Sequence, residues 1–283
     1  MGMADPWRLL ITPPAPGAWN MAVDEVLLEM CARGESLPTL RLYSWEPPCL
    51  SLGYAQPLSD VDIARLESRG WDLVRRLTGG RAVLHTDELT YSVIAPPDEA
   101  LLAGGVLPSY NRLARALVGG LRRLGLPVEV QEQPATQENQ NPNPVCFEVP
   151  STYEITAGGK KLIGSAQARR KDGVLQHGSL PLTGDLSRII ACLAFPDEDA
   201  RARAAIRLLE RATTVESIMG QPVAWEQAAN AFQAAFEEIL SLDLQTEDLT
   251  SRERDRAGEL AAKKYTHPDW TCRGSKGNQP PGG

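Results

Sequence analysis

The 283-residue chain is 42% hydrophobic and 23% charged, long enough to bury a sizeable core, and its 36 acidic against 29 basic residues leave a formal charge of −7. That surplus of acid argues against sequence-independent nucleic-acid binding, which needs Lys and Arg on the phosphates, while leaving room for a local basic patch. Five scattered cysteines without a C-x-x-C pair, three distant histidines, no long apolar run and no leader-like start argue against a disulfide framework, a metal site and a membrane span. A reduced, cytoplasmic protein with free thiols is expected.

A short strand over 8–12 meets a break at Pro13, Pro14 and Pro16, which no helix interior tolerates. Asn20 can cap a helix reaching Arg33. Its positions Met21, Val23, Val26, Leu27 and Met30 recur at helical spacing, Asp24 and Glu25 fall in the first turns where the macrodipole favours acid, and Gly34 stops it. Residues 39–54 alternate apolar and polar on both sides of Pro47 and Pro48, the pattern of two strands joined by a turn. A helix over 59–69 follows, between Ser59 and Gly70, and then a strand from Trp71.

In the run R-R-L-T-G-G-R-A-V-L-H (75–85), Gly79 and Gly80 let the backbone approach a ligand closely, its amides can face an anion, and Arg75, Arg76 and Arg81 add positive charge. The same residues also suit a Gly-Gly hairpin turn with its arginines in solvent. Neither P-loop nor dinucleotide-binding spacing is present.

Residues 88–95 alternate as a strand, and 109–124 form an amphipathic helix with Leu113, Ala116, Leu117 and Leu121 on one face. A strand over 127–130 leads into 132–145, rich in Asn, Gln and Pro, a long loop of the kind that in compact domains tends to carry function. Strands over 152–156, 160–169 and 174–182 follow, with Gly158 and Gly159 at a turn and Gly164 and Gly178 where a ligand or another backbone can lie close. Beyond Leu186 the chain reads as helices near Ile189 and over 200–211, 224–240 and 251–265, and the composition of 273–283 predicts disorder. The fold class is α+β, with mixed, largely antiparallel sheets flanked by helices.

Chemistry concentrates between Cys146 and Gly178. Cys146 leaves the long loop, where a thiol can meet substrate, and needs only a nearby cation to become thiolate; Lys161, after the glycine turn, offers one. A lone cysteine can equally be a small buried hydrophobe, and His85 and His177 can be satisfied structural residues.

Four blocks, N-M-A-V-D-E-V-L-L (20–28), R-R-L-T-G-G-R-A-V-L-H (75–85), K-x-x-G-S-A-Q (161–167) and L-Q-H-G-S-L (175–180), resemble in order and spacing the biotin/lipoate-protein ligase superfamily. C-F-E-V-P-S from Cys146 resembles its cysteine-dependent protein octanoyltransferases. The resemblance implies a catalytic domain over 1–240, followed by a helical extension over 241–272 and a tail over 273–283. It also implies octanoyl transfer from octanoyl-acyl carrier protein to a lysine of a lipoyl-domain protein, either glycine cleavage H protein or the E2 of a 2-oxoacid dehydrogenase, without cofactor or metal. Cys146 would carry the acyl group as a thioester and Lys161 would support it, with Arg76, Thr78, Gly79, Gly80, Arg81, His85, Gly164, Ser165, Ala166, Gln167, His177 and Gly178 around the substrate. The rivals are an ATP- and Mg-dependent lipoate ligase, an octanoyl amidotransferase between lipoyl-domain proteins, and a silent module that only binds lipoyl domains or free lipoate. Against the ligase stands Arg81, where such ligases usually carry a third glycine.

Overall fold

The computed structural model describes residues 5–132, 153–171 and 173–273. Strand β1 (Asp5–Ile11) leads through the proline break into α1 (Gly17–Ala32), which begins three residues before Asn20. Asn20 is therefore not the cap. Its amide is buried inside the helix and donates to the carbonyls of Ala15 (3.1 Å) and Ser44 (3.0 Å). A side chain at Gly17 would lie 2.3 Å from Cys49 Sγ, so a residue without Cβ is needed where the helix start rests on a strand. Gly34 follows the helix at φ +69°, the left-handed stop expected.

The two strands read in 39–54 exist, but they do not pair. β2 (Thr39–Tyr43) lies in the large sheet, parallel to β1, whereas β3 (Cys49–Leu52) is the centre of a small one. The helix expected over 59–69 shrinks to a 3₁₀ turn (Leu58–Asp60) and α2 (Ile63–Glu67), capped by Asp62 rather than Ser59. β4 (Asp72–Arg75) runs parallel to β3 and β5 (Val83–His85) antiparallel to it, on its other side. The Gly79–Gly80 segment thus crosses β3 and is not a hairpin turn.

β6 (Glu88–Ala95) returns to the large sheet, antiparallel to β2. α3 (Val106–Arg123) starts three residues earlier than expected, with Pro108 tolerated in its first turn. Then come β7 (Val128–Glu132), β8 (Tyr153–Ala157), β9 (Lys160–Arg169) and β10 (Val174–Pro181), successive strands pairing antiparallel and β10 closing on β6. The chain continues through α4 (Glu198–Arg211), α5 (Val215–Met219) and α6 (Trp225–Leu240). Cβ atoms at Gly119 and Gly120 would meet Ile239 and Phe232, so those two glycines let α3 and α6 pack closely over the core. Truncating the buried Phe232 to Ala would cost about 3–5 kcal/mol.

The segment read as a helical extension opens instead with β11 (Leu242–Thr246), which pairs parallel to β1 and completes the sheet order β11-β1-β2-β6-β10-β9-β8-β7. α7 (Ser251–Leu260) and a π-type turn (Ala261–Tyr265) then cover α1 from outside, and α8 (Pro268–Thr271) packs on that turn and on β4. Glu253 accepts from Arg8 at 2.6 Å, and Glu25 on α1 accepts from Lys264 (2.6 Å) and Tyr265 (2.8 Å). Sandwiched in this way, α1 buries nearly all of its circumference, which is why charges occur among its apolar positions. No helix among the described residues is long and apolar enough to cross a membrane.

Candidate active site

A cleft opens between the small sheet and strands β9 and β10, with α1 and Trp45 behind it. Arg76, Gly80 and His85 line one side; Gly164, Ser165, Ala166, His177 and Gly178 line the other; Met21, Tyr43 and Val83 supply apolar wall. Gly178 is fixed by crowding, since a Cβ there would come within 2.6–2.8 Å of Tyr91, Ser165 and the Gly164 carbonyl.

Two imidazoles face each other's neighbourhoods across the cleft, each on a carboxylate. His177 Nδ1 lies 3.4 Å from Asp24 and its Nε2 2.6 Å from the Thr78 hydroxyl. Burial holds this ring below the ordinary histidine range, outweighing what Asp24 restores, so it is neutral near pH 7: Nδ1–H faces Asp24, and Nε2 accepts from Thr78. Burial would raise the Asp24 carboxyl, but the His177 bond and the charge of Arg41, whose guanidinium donates at 2.8 Å, hold it below the usual carboxylate range. Tyr43 (3.1 Å) and Ser92 (3.0 Å) donate to it as well.

His85 stacks on Trp45 (ring centroids 3.9 Å apart, 11° between planes) and points Nδ1 at Glu88, 2.6 Å away, which assigns the proton there and leaves Nε2 to Ser51 at 2.8 Å. Glu88 also accepts from the hydroxyls of Thr90 and Ser179. Burial opposes its charge, yet His85 and these donors keep its carboxyl below the usual range.

Arg75 and Arg76 of the glycine run are buried rather than in solvent, while Arg81 is half-buried. Arg76 is buried and shapes the loop from inside, donating to Thr78 Oγ1 (3.1 Å) and to the carbonyls of Ser51 (3.0 Å), Gly79 (2.8 Å) and Arg81 (2.8 Å). Gly80, at φ +92°, presses its carbonyl to 1.9 Å from where a Cβ of Gly53 would stand, so Gly53 has to be glycine.

The lipoyl protein ligase A/B catalytic domain family model matches residues 16–237. Octanoyltransferase LipM of Moorella thermoacetica is 44% identical over 271 residues, covering 95% of this chain and 99% of the relative. The chain belongs to this family. Within it the chain stands with the octanoyltransferases, which makes it an acyltransferase. Two solved structures share its fold at 28% identity. One, described as a bi-partite lipoate protein ligase and its E2 lipoyl domain from Thermoplasma acidophilum, aligns at TM-score 0.78 over 96% of this chain and 98% of that one. Lipoate-protein ligase A bound with ATP aligns at 0.75 over 96% and 100%.

This family member brings together most of the residues that its motifs nominate. Arg76, Gly80, His85, Gly164, Ser165, Ala166, His177 and Gly178 line one cleft; Thr78 and Gly79 form the loop behind it, and Arg81 contributes its carbonyl to Arg76. Gln167 faces away, since its amide bonds Ser109 (3.1 Å) and Gln176 (3.0 Å) beside α3. Lys161 is buried in β9 opposite Thr156, about 10 Å along the strand from Gly164, with its carbonyl accepting from Thr213 at 3.0 Å. Cys146 lies outside the described residues, as does nearly all of the loop before it. The sequence reading missed Asp24 and Glu88 as partners of the imidazoles, and Arg41 and Trp45 with them. One signal was present: a buried helix face that reads M-A-V-D-E-V leaves two carboxylates in need of partners.

Proposed function

We propose that the enzyme transfers an octanoyl group from octanoyl-acyl carrier protein to the lysine amine of a lipoyl-domain protein, such as glycine cleavage H protein or an E2, through a thioester on Cys146. The observation that carries this reading is the single cleft that gathers the glycine loop, β9 and His177 in a chain 44% identical to an octanoyltransferase. Three of the other four thiols support it by contrast, since burial pushes Cys31 and Cys192 up to about 12, and Cys49 up as well; the fourth, Cys272, is exposed but does not line the cleft. Cys146, fourteen residues before β9 begins at Lys160, is the thiol the motif assigns to this mouth.

The Cys146 thiolate attacks the donor carbonyl, a new C–S bond forms, and the carrier thiolate leaves and takes up a proton. The acceptor amine then attacks that thioester, the C–N bond forms, Cys146 leaves as thiolate, and the amine loses a proton to a base of the site. Lys161 contributes positive charge beside the thiol and a path for that proton. Neutral His177, with its Nδ1 proton fixed on Asp24, is a second base suited to that step. Among the described residues β8 pairs with β9 as far as Ile163, and the β9 amides from Gly164 onward, which border the cleft, are the candidates to hold the developing oxyanion.

Intact mass after mixing with octanoyl-acyl carrier protein, without ATP, tests the proposal. A hydroxylamine-sensitive gain of one octanoyl group is expected, absent in Cys146→Ala. The likeness to a lipoate-protein ligase bound with ATP favours one rival, an ATP-dependent ligase. Strict ATP dependence with Cys146→Ala still active would establish that rival instead.

A further inference from the structure

We propose that Trp270 and Arg75 are positioning residues for the glycine loop, so that the segment after α7 completes the acyl site although it lies beyond the matched residues 16–237. The inference rests on the reading of the Gly79–Gly80 loop as part of the acyl wall.

Arg75 and Arg76 are adjacent, and both are buried, yet they serve opposite sides. Arg76 holds the glycine loop. Arg75 is fully buried, and every hydrogen bond it makes among the described residues ends on a main-chain carbonyl. Nε and Nη2 take Trp270 (3.1 Å) and Thr271 (3.1 and 2.6 Å), and Nη1 takes Gly53 (2.7 Å), Tyr54 (3.2 Å) and Gln56 (2.6 Å). One planar guanidinium therefore joins the last carbonyls of α8 to the loop after β3, a task a lysine's single ammonium cannot reproduce.

The link is reciprocal, because the Trp270 indole N–H donates back to the Arg75 carbonyl at 2.9 Å. Its ring lies edge-on to Tyr54 and to Tyr265, at 5.9 Å each, under the Lys264 ammonium at 4.0 Å. The platform so fixed touches the glycine loop directly. The Tyr54 amide donates to the Thr78 carbonyl at 2.8 Å, and Gly53 sits under the Gly80 carbonyl with no room for a Cβ. The same segment also reaches the far wall, because Lys264 and Tyr265 hold Glu25, next to Asp24 on α1. Loosening Trp270 should therefore loosen residues 76–82 before it loosens the sheet.

The test uses the full chain with Trp270→Ala and the milder Trp270→Phe, which keeps a ring and removes only the N–H. Amide exchange, melting, and steady-state kinetics with octanoyl-acyl carrier protein are measured. In Trp270→Ala, exchange over 76–82 should rise about tenfold while 88–95 and 174–181 hold, and KM for the donor should rise about tenfold with kcat within about threefold. Trp270→Phe should fall between. Should the alanine variant not fold, the phenylalanine variant decides on the same readings. Unchanged exchange over 76–82 in a folded variant overturns the positioning role. Faster exchange there with an unchanged KM keeps the link and overturns the acyl-wall reading of the loop.

Discussion

His177 and His85 each sit buried on an ionised carboxylate, but the two carboxylates are compensated differently. Asp24 lies on the Arg41 guanidinium, which neutralises it whatever His177 does; Glu88 is surrounded by hydroxyls, with His85 as its neighbouring imidazole. The Asp24 pair thus holds a neutral ring in a fixed tautomer, the state a base needs. The Glu88 pair orients its ring through a network of O–H donors and a stacked tryptophan, which suits a wall that shapes substrate.

The largest expected difference is in stability. Arg41→Met leaves Asp24 buried without its cation and should cost about 3–5 kcal/mol, a fall in melting temperature on the order of 10 °C. Glu88→Gln keeps a polar group to which the hydroxyls can turn and should cost about 1–3 kcal/mol. Equal losses in urea titrations of the two variants would end the distinction. Catalysis should divide the same way. Asp24→Asn frees the His177 tautomer and should lower kcat on the order of a hundredfold, with KM for donor nearly unchanged. A loss confined to KM would mean that His177 binds rather than reacts.

Most strands, the Gly158–Gly159 turn and the four motif blocks were legible because each is a pattern within a few residues. What decides the chemistry was not. Asp24 read as a first-turn charge, since Arg41, Ser92 and His177 come from distant strands that only the sheet order brings to α1. Arg75 and Arg76 read either as cations facing a ligand or as a solvated hairpin face, because nothing local announces that carbonyls from residues 51–56 and 270–271 will surround them. β11 was missed because L-D-L-Q-T is a short exposed edge whose only reason to be a strand is β1 beside it.

A third difference is in pH dependence. The folded pKa of His177 is depressed, so between that value and the ordinary histidine range the unfolded chain binds a proton that the folded chain does not. Stability conferred by the neutral ring is then complete above the ordinary range and declines as pH falls through it, by at most about 1.4 kcal/mol per pH unit. Asp24 and Glu88 are depressed carboxylates, so their contribution is intact there and is lost only as pH falls through their lowered values. Denaturant titrations from pH 7.5 to 5.5 should show that slope in the wild type and a flatter one in His177→Gln, whose amide can still bond Asp24 and Thr78. An unchanged slope would assign it to another group.

The smallest effect concerns Gln167, which the motif places in the site and the strand alternation turns away from it. Ala166 faces the cleft, so the next side chain along β9 emerges on the opposite face, where Gln167 bonds Ser109 on α3 and Gln176 on β10. Gln176 in turn donates to Tyr91, whose hydroxyl meets Ser165 at 2.8 Å, so Gln167 reaches the cleft only through three further side chains. Gln167→Ala should therefore cost about 0.5–1.5 kcal/mol of stability for its lost hydrogen bonds and leave kcat and KM for the acyl donor within about twofold. A tenfold loss of kcat/KM in a variant of near-native stability would show that the Gln167–Gln176–Tyr91–Ser165 chain sets the cleft wall, and would make the α3 face of the sheet as much a part of the site as the two histidine walls.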